Sequence, residues 1–197
     1  FTYNTTEYIK DMGTESRFKV IENDIISEKI SKNNYLFSQK ALFIDRDNTI
    51  IRCNPKEYIL KLEQVKIIKE NVLKIANIAK EFNLTCLVTN QPQVSMGKLT
   101  INELDKINSL VIKECIKLGL KIDVISYCPH HPHSGFDGEI VELKGNCFCR
   151  KPNPGLFLEQ KFIRNIDLSS SLMVGDQLTD QKAAKNSNCN FIYINEL

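Results

Sequence analysis

No stretch of this 197-residue chain approaches the ~18–20 consecutive apolar residues that cross a bilayer. No basic-then-apolar leader opens it, so no secretory signal is visible. An excess of one charge is also missing. The 26 basic and 24 acidic residues leave +2, which gives no footing for a nucleic-acid or membrane-surface partner. Internal repeats and low-complexity tracts are absent. What remains is ordinary for a globular chain, 42% hydrophobic and 25% charged. That apolar content excludes a disordered chain, which could not offset its ordering entropy. The length allows one good-sized domain and an appendage. The first residue is Phe1, not Met, so a processed chain or a piece of a longer one is expected.

Seven cysteines are present. Without a leader and at this length they do not suggest an extracellular disulfide scaffold. Three of them, Cys128, Cys147 and Cys149, lie near a His-rich run, which points to metal. A reducing, cytoplasmic setting is expected.

Residues 1–38 differ from the rest. Thr2, Asn4, Thr5, Thr6, Asp11, Gly13 and Thr14 make a polar, turn-prone start. The spacing of Phe18, Ile21, Ile25 and Ile26 predicts an amphipathic helix over 15–31. Ser31-Lys32-Asn33-Asn34 reads as a linker. From residue 39 a second region runs to 197 with a regular pattern. Short apolar runs at 41–44, 84–88, 122–127, 172–174 and 190–194 read as strands. Apolar residues every three or four positions predict helices over 64–82 and 100–118, with Gly119 as a stop. Pro154 suits the first turn of another helix, and a short one is expected near 178–186. Residues 128–150 read as an irregular loop. Alternating strands and helices imply an α/β fold, a Rossmann-like parallel sheet with helices on both faces. Such sheets carry their sites at the carboxyl ends of the strands. Asp45 and Asp47, Thr89 and Asn90, Cys128 and His130, and Asp176 all fall there.

Asp45-Arg46-Asp47-Asn48-Thr49 sets two carboxylates at i and i+2, on one side of an extended chain. One can attack while the other transfers protons. Arg46, between them, is expected to face away and is given no catalytic role. Close carboxylates repel unless a cation relieves them. With Asp176 as a third oxygen donor, the hard ligand set suits Mg²⁺. Thr89 and Lys151 can hold a phosphoryl group beside Asp45. Taken singly, each residue has a plainer explanation: a turn, a helix cap or a solvated lysine.

Cys128-Pro129-His130, then Cys147-Phe148-Cys149 after sixteen residues, offer three thiolates and an imidazole. That is a closed tetrahedral set typical of structural Zn²⁺. It would lock a long loop with few apolar residues. The plainer alternative is cysteines acting as small hydrophobes. Four ligands suffice, so His131 and His133 are expected to be solvated loop residues.

The order Asp45-x-Asp47, Thr89, Lys151, Gly175-Asp176 and Asp180 resembles the four motifs of the haloacid dehalogenase superfamily over residues 41–197. The resemblance implies that superfamily's fold with a minimal cap, and an Mg²⁺-dependent phosphatase. It implies Asp45 as nucleophile through an aspartyl-phosphate, and Asp47 as acid then base. Asp45, the Asp47 carbonyl and Asp176 would hold Mg²⁺, and Thr89 and Lys151 would stabilise the phosphoryl group. Asn48 stands where the family has Gly. Asn tolerates left-handed backbone, so the turn can survive.

The stretch from Cys128 to Gly155, ending Arg150-Lys-Pro-Asn-Pro-Gly155, resembles the zinc-loop branch of D-glycero-D-manno-heptose 1,7-bisphosphate and histidinol-phosphate phosphatases. Its long loop is nearer the heptose enzymes. The match implies that Arg150 contacts the second phosphate or the sugar. It also implies that Cys53, Asn54, Pro55 and Lys56 line the substrate pocket, with Asn90, Gln91 and Pro92 adding contacts. Tyr8 to Thr14 resembles the carboxyl end of sugar nucleotidyltransferases, which suggests fusion to, or work alongside, such an enzyme. The function expected is removal of the 7-phosphate in activated-heptose synthesis for a surface polysaccharide. Histidinol-phosphate phosphatase is the alternative. A nucleic-acid 3′-phosphatase is disfavoured by the missing basic stripe, and a non-catalytic zinc domain by the filled catalytic positions.

Overall fold

A computed structural model describes residues 8–27, 29–32, 36–54 and 57–197. Five strands, β1 (Ala41–Ile44), β2 (Leu84–Asn90), β3 (Val124–Cys128), β4 (Leu172–Gly175) and β5 (Asn190–Tyr193), form one parallel sheet in the order β3-β2-β1-β4-β5. The central strand β1 is wholly buried, as its unbroken apolar run requires. Its alternate residues serve opposite faces. Leu42 and Ile44 join a cluster with Val72 and Ile75 of one helix and Leu104, Ile107 and Val111 of another. Ala41 and Phe43 join a second cluster with Leu156, Phe157, Ala183 and Ala184. Phe43 and Phe157 stack with ring centroids 4.6 Å apart.

The helices are α1 (Glu15–Ile26), α2 (Lys29–Lys32), α3 (Lys69–Ile78), α4 (Ile101–Lys117), α5 (Gly155–Arg164) and α6 (Leu178–Asn186). Helix α4 starts on a capping box, with the Thr100 hydroxyl accepting from the Glu103 amide and Glu103 accepting from the Thr100 amide. It ends before Gly119, whose φ of 84° breaks the helix. Helix α5 follows Pro154.

Three sequence expectations are corrected. The helix expected from residue 64 begins at Lys69, because residues 66–68 pair instead with the segment after β1. Arg52 donates to the Lys66 carbonyl at 2.8 Å, Ile68 to the Ile50 carbonyl at 2.8 Å, and Ile51 bridges Ile67. The helix expected over 15–31 ends at Ile26. Ile21 and Asp24 turn inward, while Phe18, Ile25 and Ile26 are exposed. Asp24 is accommodated because the Tyr8 hydroxyl donates to it at 2.8 Å and Lys10 and Lys29 pair with it at 3.3 Å. Ser31 and Lys32, expected in a linker, belong to α2, while Asn33 and Asn34 lie outside the described residues, as do Thr2, Asn4, Thr5 and Thr6. The remaining strands shift by at most two residues, β3 starting at Val124 and β5 ending at Tyr193. No helix among the described residues is long and apolar enough to cross a membrane.

Candidate active site

Beyond β1 the chain turns at once. The Asp45 amide donates to the Val174 carbonyl of β4 at 2.9 Å, which fixes this aspartate at the centre of the sheet's carboxyl edge. The Ile50 and Ile51 amides both return to the Arg46 carbonyl. Asn48 takes φ 58°, in the left-handed region, as the family's glycine would. It also does what glycine cannot, since its side-chain oxygen accepts from the Cys53 amide at 2.9 Å.

Lys151 reaches this aspartate from the far side of the long loop. Its ammonium donates to Asp45 Oδ1 at 2.6 Å, Asp180 Oδ1 at 2.7 Å and the Val88 carbonyl at 2.8 Å. Three protons meet three acceptors, and the lysine is buried. Burial alone would lower its pKa, but Asp45 and then Asp180 raise it above the usual lysine value. Asn90, the last residue of β2, holds the lysine's backbone with both ends of its amide. Its Nδ2 donates to the Lys151 carbonyl and its Oδ1 accepts from the Lys151 amide, each at 3.0 Å. The Lys151–Pro152 peptide is cis.

Asp180 stands in the first turn of α6, where it also accepts from the Gln177 amide at 3.1 Å. Gly175 makes room for it, because a Cβ there would lie 2.6 Å from Asp180 Oδ2. Oxygens of Asp45, Asp176 and Asp180 gather within 4.8 Å of one another. Burial pushes Asp45 up to about 7, Asp180 and Asp47 adding to the rise and Lys151 opposing it. Burial, then Asp180, pushes Asp176 up to about 6. Asp176 Oδ1 is buried with no hydrogen-bond donor among the described residues. An orphaned carboxylate oxygen beside two crowded carboxylates fits a hard divalent cation, which would favour all three ionised forms. The sequence motif contained Asp180 but assigned it no role. Its signal is the spacing from Gly175-Asp176, which sets it at the N-terminal turn of the next helix.

Arg46 does not face away from the aspartates, and that expectation is corrected. It is fully buried and grips the carboxylate of Asp47, with Nε 3.0 Å from Oδ1 and Nη2 3.2 Å from Oδ2. The chain is turning at this point, so the alternation of an extended strand does not apply. Gln91 and Pro92, expected to touch substrate, are buried. Gln91 Nε2 donates to Asp47 Oδ2 and to the Thr89 hydroxyl, both at 2.9 Å, and the Pro92 carbonyl accepts from Ser95 and Met96. Asn90, expected there too, spends its amide on Lys151. Cys53 and Asn54 line a cleft of about 290 Å³ with Arg52, Tyr58 and Lys66. Pro55 and Lys56 lie outside the described residues. Arg150 is half-buried, and its Nη1 donates to the His130 carbonyl at 3.1 Å.

The second constellation closes at the end of β3. The Sγ atoms of Cys128, Cys147 and Cys149 lie 3.1–3.4 Å apart, and His130 Nδ1 lies 3.6 Å from Cys128 and 3.3 Å from Cys149. The Cys149 thiol falls to about 5, chiefly through its hydrogen bond with Cys128, with Cys147 and His130 adding to the effect. The same bond, and then burial, pushes Cys128 up. One thiolate already stabilised by its neighbours, in a four-membered N/S set, is chemistry suited to zinc. His131 and His133 stay outside the cluster. The His133 amide donates to His131 Nδ1 at 3.1 Å, and the His131 ring meets Phe136 edge-on. The loop is tied to the turn after β2 by the Ile140 amide, which donates to the Ser95 carbonyl at 2.9 Å.

Known proteins resemble this chain in sequence and fold. A family model described as HAD-hydrolase-like matches residues 148–196. The D-glycero-beta-D-manno-heptose-1,7-bisphosphate 7-phosphatase of Escherichia coli O6:H1 is 33% identical over 147 residues, 75% of this chain and 74% of its own length. The enzyme of the same name from Yersinia pestis is 33% identical over 152 residues, 77% of each chain. A crystal structure of D,D-heptose 1,7-bisphosphate phosphatase from B. bronchiseptica, complexed with magnesium and phosphate, superposes with a TM-score of 0.65 at 25% identity. It covers 77% of this chain and 78% of that one.

Proposed function

The chain belongs to the haloacid dehalogenase-like hydrolases, in the group of the heptose bisphosphate phosphatases, and we propose that it removes the 7-phosphate of D-glycero-D-manno-heptose 1,7-bisphosphate in activated-heptose synthesis. The observation that carries the reading is the meeting of Asp45, Lys151 and Asp180 at one buried point, from three separate segments. Asp45 attacks phosphorus and forms the aspartyl-phosphate. Asp47 gives its proton to the departing sugar oxygen, then takes one from the attacking water. Lys151 supports the transferring phosphoryl as a fixed positive charge, and the Thr89 hydroxyl adds a hydrogen bond.

Asp45, the Asp47 carbonyl and Asp176 hold Mg²⁺ in this reading, supported by the orphaned Asp176 oxygen and by the neighbour bound to magnesium. That cation supplies the charge neutralisation that lets an anionic nucleophile approach an anionic phosphoryl group. Cys128, His130, Cys147 and Cys149 hold a structural Zn²⁺. Cys53, Asn54 and Arg150 face the substrate, Arg150 reading its second phosphate. The phosphatase domain covers 39–197, and residues 1–38 form an extension linked to a sugar nucleotidyltransferase. The exposed apolar residues of α1 support that attachment. The seven free thiols suit the cytoplasm.

Steady-state phosphate release from both anomers of the heptose bisphosphate and from histidinol phosphate tests the reading. A preference for a heptose bisphosphate is expected, and a preference for histidinol phosphate overturns it. Arg150→Ala is expected to lower kcat/KM for the bisphosphate by roughly ten- to a hundredfold, with little effect on a monophosphate of the same reacting end.

A further inference from the structure

Two fully buried side chains grip Asp47 and have no part in the chemistry above. Arg46 and Gln91 both have 0% exposure. Asp47 itself keeps a quarter of its side chain open, so it stays reachable from outside while its carboxylate is held. The hold is complete on the protein side. Arg46 Nε donates to Oδ1, Arg46 Nη2 to Oδ2, and Gln91 Nε2 to Oδ2.

The two holding groups are held in turn. Arg46 Nη2 donates to Gln91 Oε1 at 2.6 Å, and Arg46 Nη1 to Asn108 Oδ1 of α4 at 2.9 Å. Gln93 also donates to Gln91 Oε1. That fixes which way the Gln91 amide points, because the reversed amide would set its oxygen against a carboxylate. The same Gln91 nitrogen reaches the Thr89 hydroxyl, so one bracket spans the proton-transfer group and a phosphoryl-contact group. A wholly buried guanidinium is expensive, and a well-packed apolar side chain would cost less. The geometry that offsets this cost is the planar fork on Asp47. A carboxylate torsion is otherwise broad.

We propose that Arg46 and Gln91 are positioning residues. Anchored on Asn108, they fix the Asp47 carboxylate in the orientation that proton transfer requires. The inference rests on the reading of Asp47 as acid and base. In the first half-reaction an Asp45 oxygen bonds to phosphorus, the bond from phosphorus to the leaving oxygen breaks, and the proton of Asp47 passes to that oxygen. In the second, a water oxygen bonds to phosphorus, a water proton goes to Asp47, and the bond from phosphorus to Asp45 breaks. A misdirected Asp47 therefore harms transfer from an alkyl phosphate. It leaves the first half-reaction of p-nitrophenyl phosphate untouched, since nitrophenolate departs without a proton.

The experiment compares Arg46→Lys with the wild type in two assays, steady-state phosphate release from the heptose bisphosphate and single-turnover nitrophenolate release from p-nitrophenyl phosphate. Lysine keeps the charge and loses the fork. The expected result is a ~10–100-fold lower kcat on the sugar phosphate, an unchanged KM, and an unchanged nitrophenolate rate. Asn108→Leu removes the anchor without touching Asp47 and should show a smaller split of the same kind, even if Arg46→Lys folds poorly. Equal losses in both assays, or no loss in either, overturn the inference. Asp47→Asn serves as the reference. If it shows no split, the reading of Asp47 fails and the inference with it. If it shows the split and the Arg46 and Asn108 variants do not, the bracket alone fails.

Discussion

Lys151 and Asp45, 106 residues apart in the chain, meet as a buried ion pair at 2.6 Å, and the lysine's next contact is Asp180 at 2.7 Å. One cation thus balances two carboxylates, of which burial would otherwise drive Asp45 to take up a proton. In the proposed mechanism the ionisation of Asp45, and with it the chemistry, depends on a residue delivered by a loop.

Lys151→Met should therefore damage stability as well as activity. Removing one partner of a buried pair costs about 3–5 kcal/mol. The loss should be largest at pH 8 and smaller at pH 5, where Asp45 accepts a proton. Urea denaturation at the two pH values, alongside phosphate release, measures both. Equal destabilisation at pH 5 and 8 would contradict the pairing.

The raised carboxylates give a signed pH dependence. Asp45 moves from 3.8 to about 7 and Asp176 from 3.8 to about 6. A carboxylate with a higher pKa folded than unfolded binds protons better in the native state, so these groups lower stability as pH rises between about 4 and 7. A divalent cation reverses the penalty only where the carboxylates are ionised. Added Mg²⁺ should raise the melting temperature more at pH 7.5 than at pH 5, as read by differential scanning fluorimetry.

Cys147→Ser should release zinc and loosen the loop. The loop keeps the Lys144–Glu139 ion pair and the Ile140 contact with Ser95, so losing a ligand should loosen the loop without unfolding the domain. Metal analysis should show less zinc per chain, with a lower melting temperature. Full zinc content with normal stability would count against the site.

Gly175→Ala tests the close approach beside Asp180. The added methyl meets the Asp180 side chain at 2.6–2.7 Å, so either α6 or the strand end must move. Overpacking of this kind costs about 1–3 kcal/mol. Displacing Asp180 from Lys151 should cost roughly a hundredfold in kcat. Steady-state kinetics and thermal melting check the two effects together.

Asp45, Thr89, Lys151 and Asp176 are legible in sequence because each follows an apolar run or a distinctive turn, and a parallel sheet gathers strand ends. The clustering of Cys128, His130, Cys147 and Cys149 is legible because their two short spacings bring N and S donors to one place. Arg46 was not. Its neighbours suggested an extended chain in which adjacent side chains diverge, and only the tight turn after Asp45 brings the guanidinium back to Asp47. Gln91 shows the same limit from the other side, since a polar residue just past a strand end is buried as readily as it is presented. The late start of α3 reflects competition that no local pattern records. Residues 66–68 have helical spacing, but the segment after β1 offers them backbone partners.

Asn90 has a consequence for variation in this protein. Its side-chain amide makes the paired donor and acceptor contacts with the Lys151 backbone that a neighbouring strand would make. The backbone of Lys151 is thereby docked to the sheet by a residue outside the loop. Docking at Asn90 and closure at the thiol cluster fix both ends of the segment between His130 and Cys147. Lengthening a surface loop whose ends are already fixed costs little entropy. Residues inserted near Gly135, where the chain is exposed, should leave Lys151 in register, so this loop is where the scaffold has room to diverge.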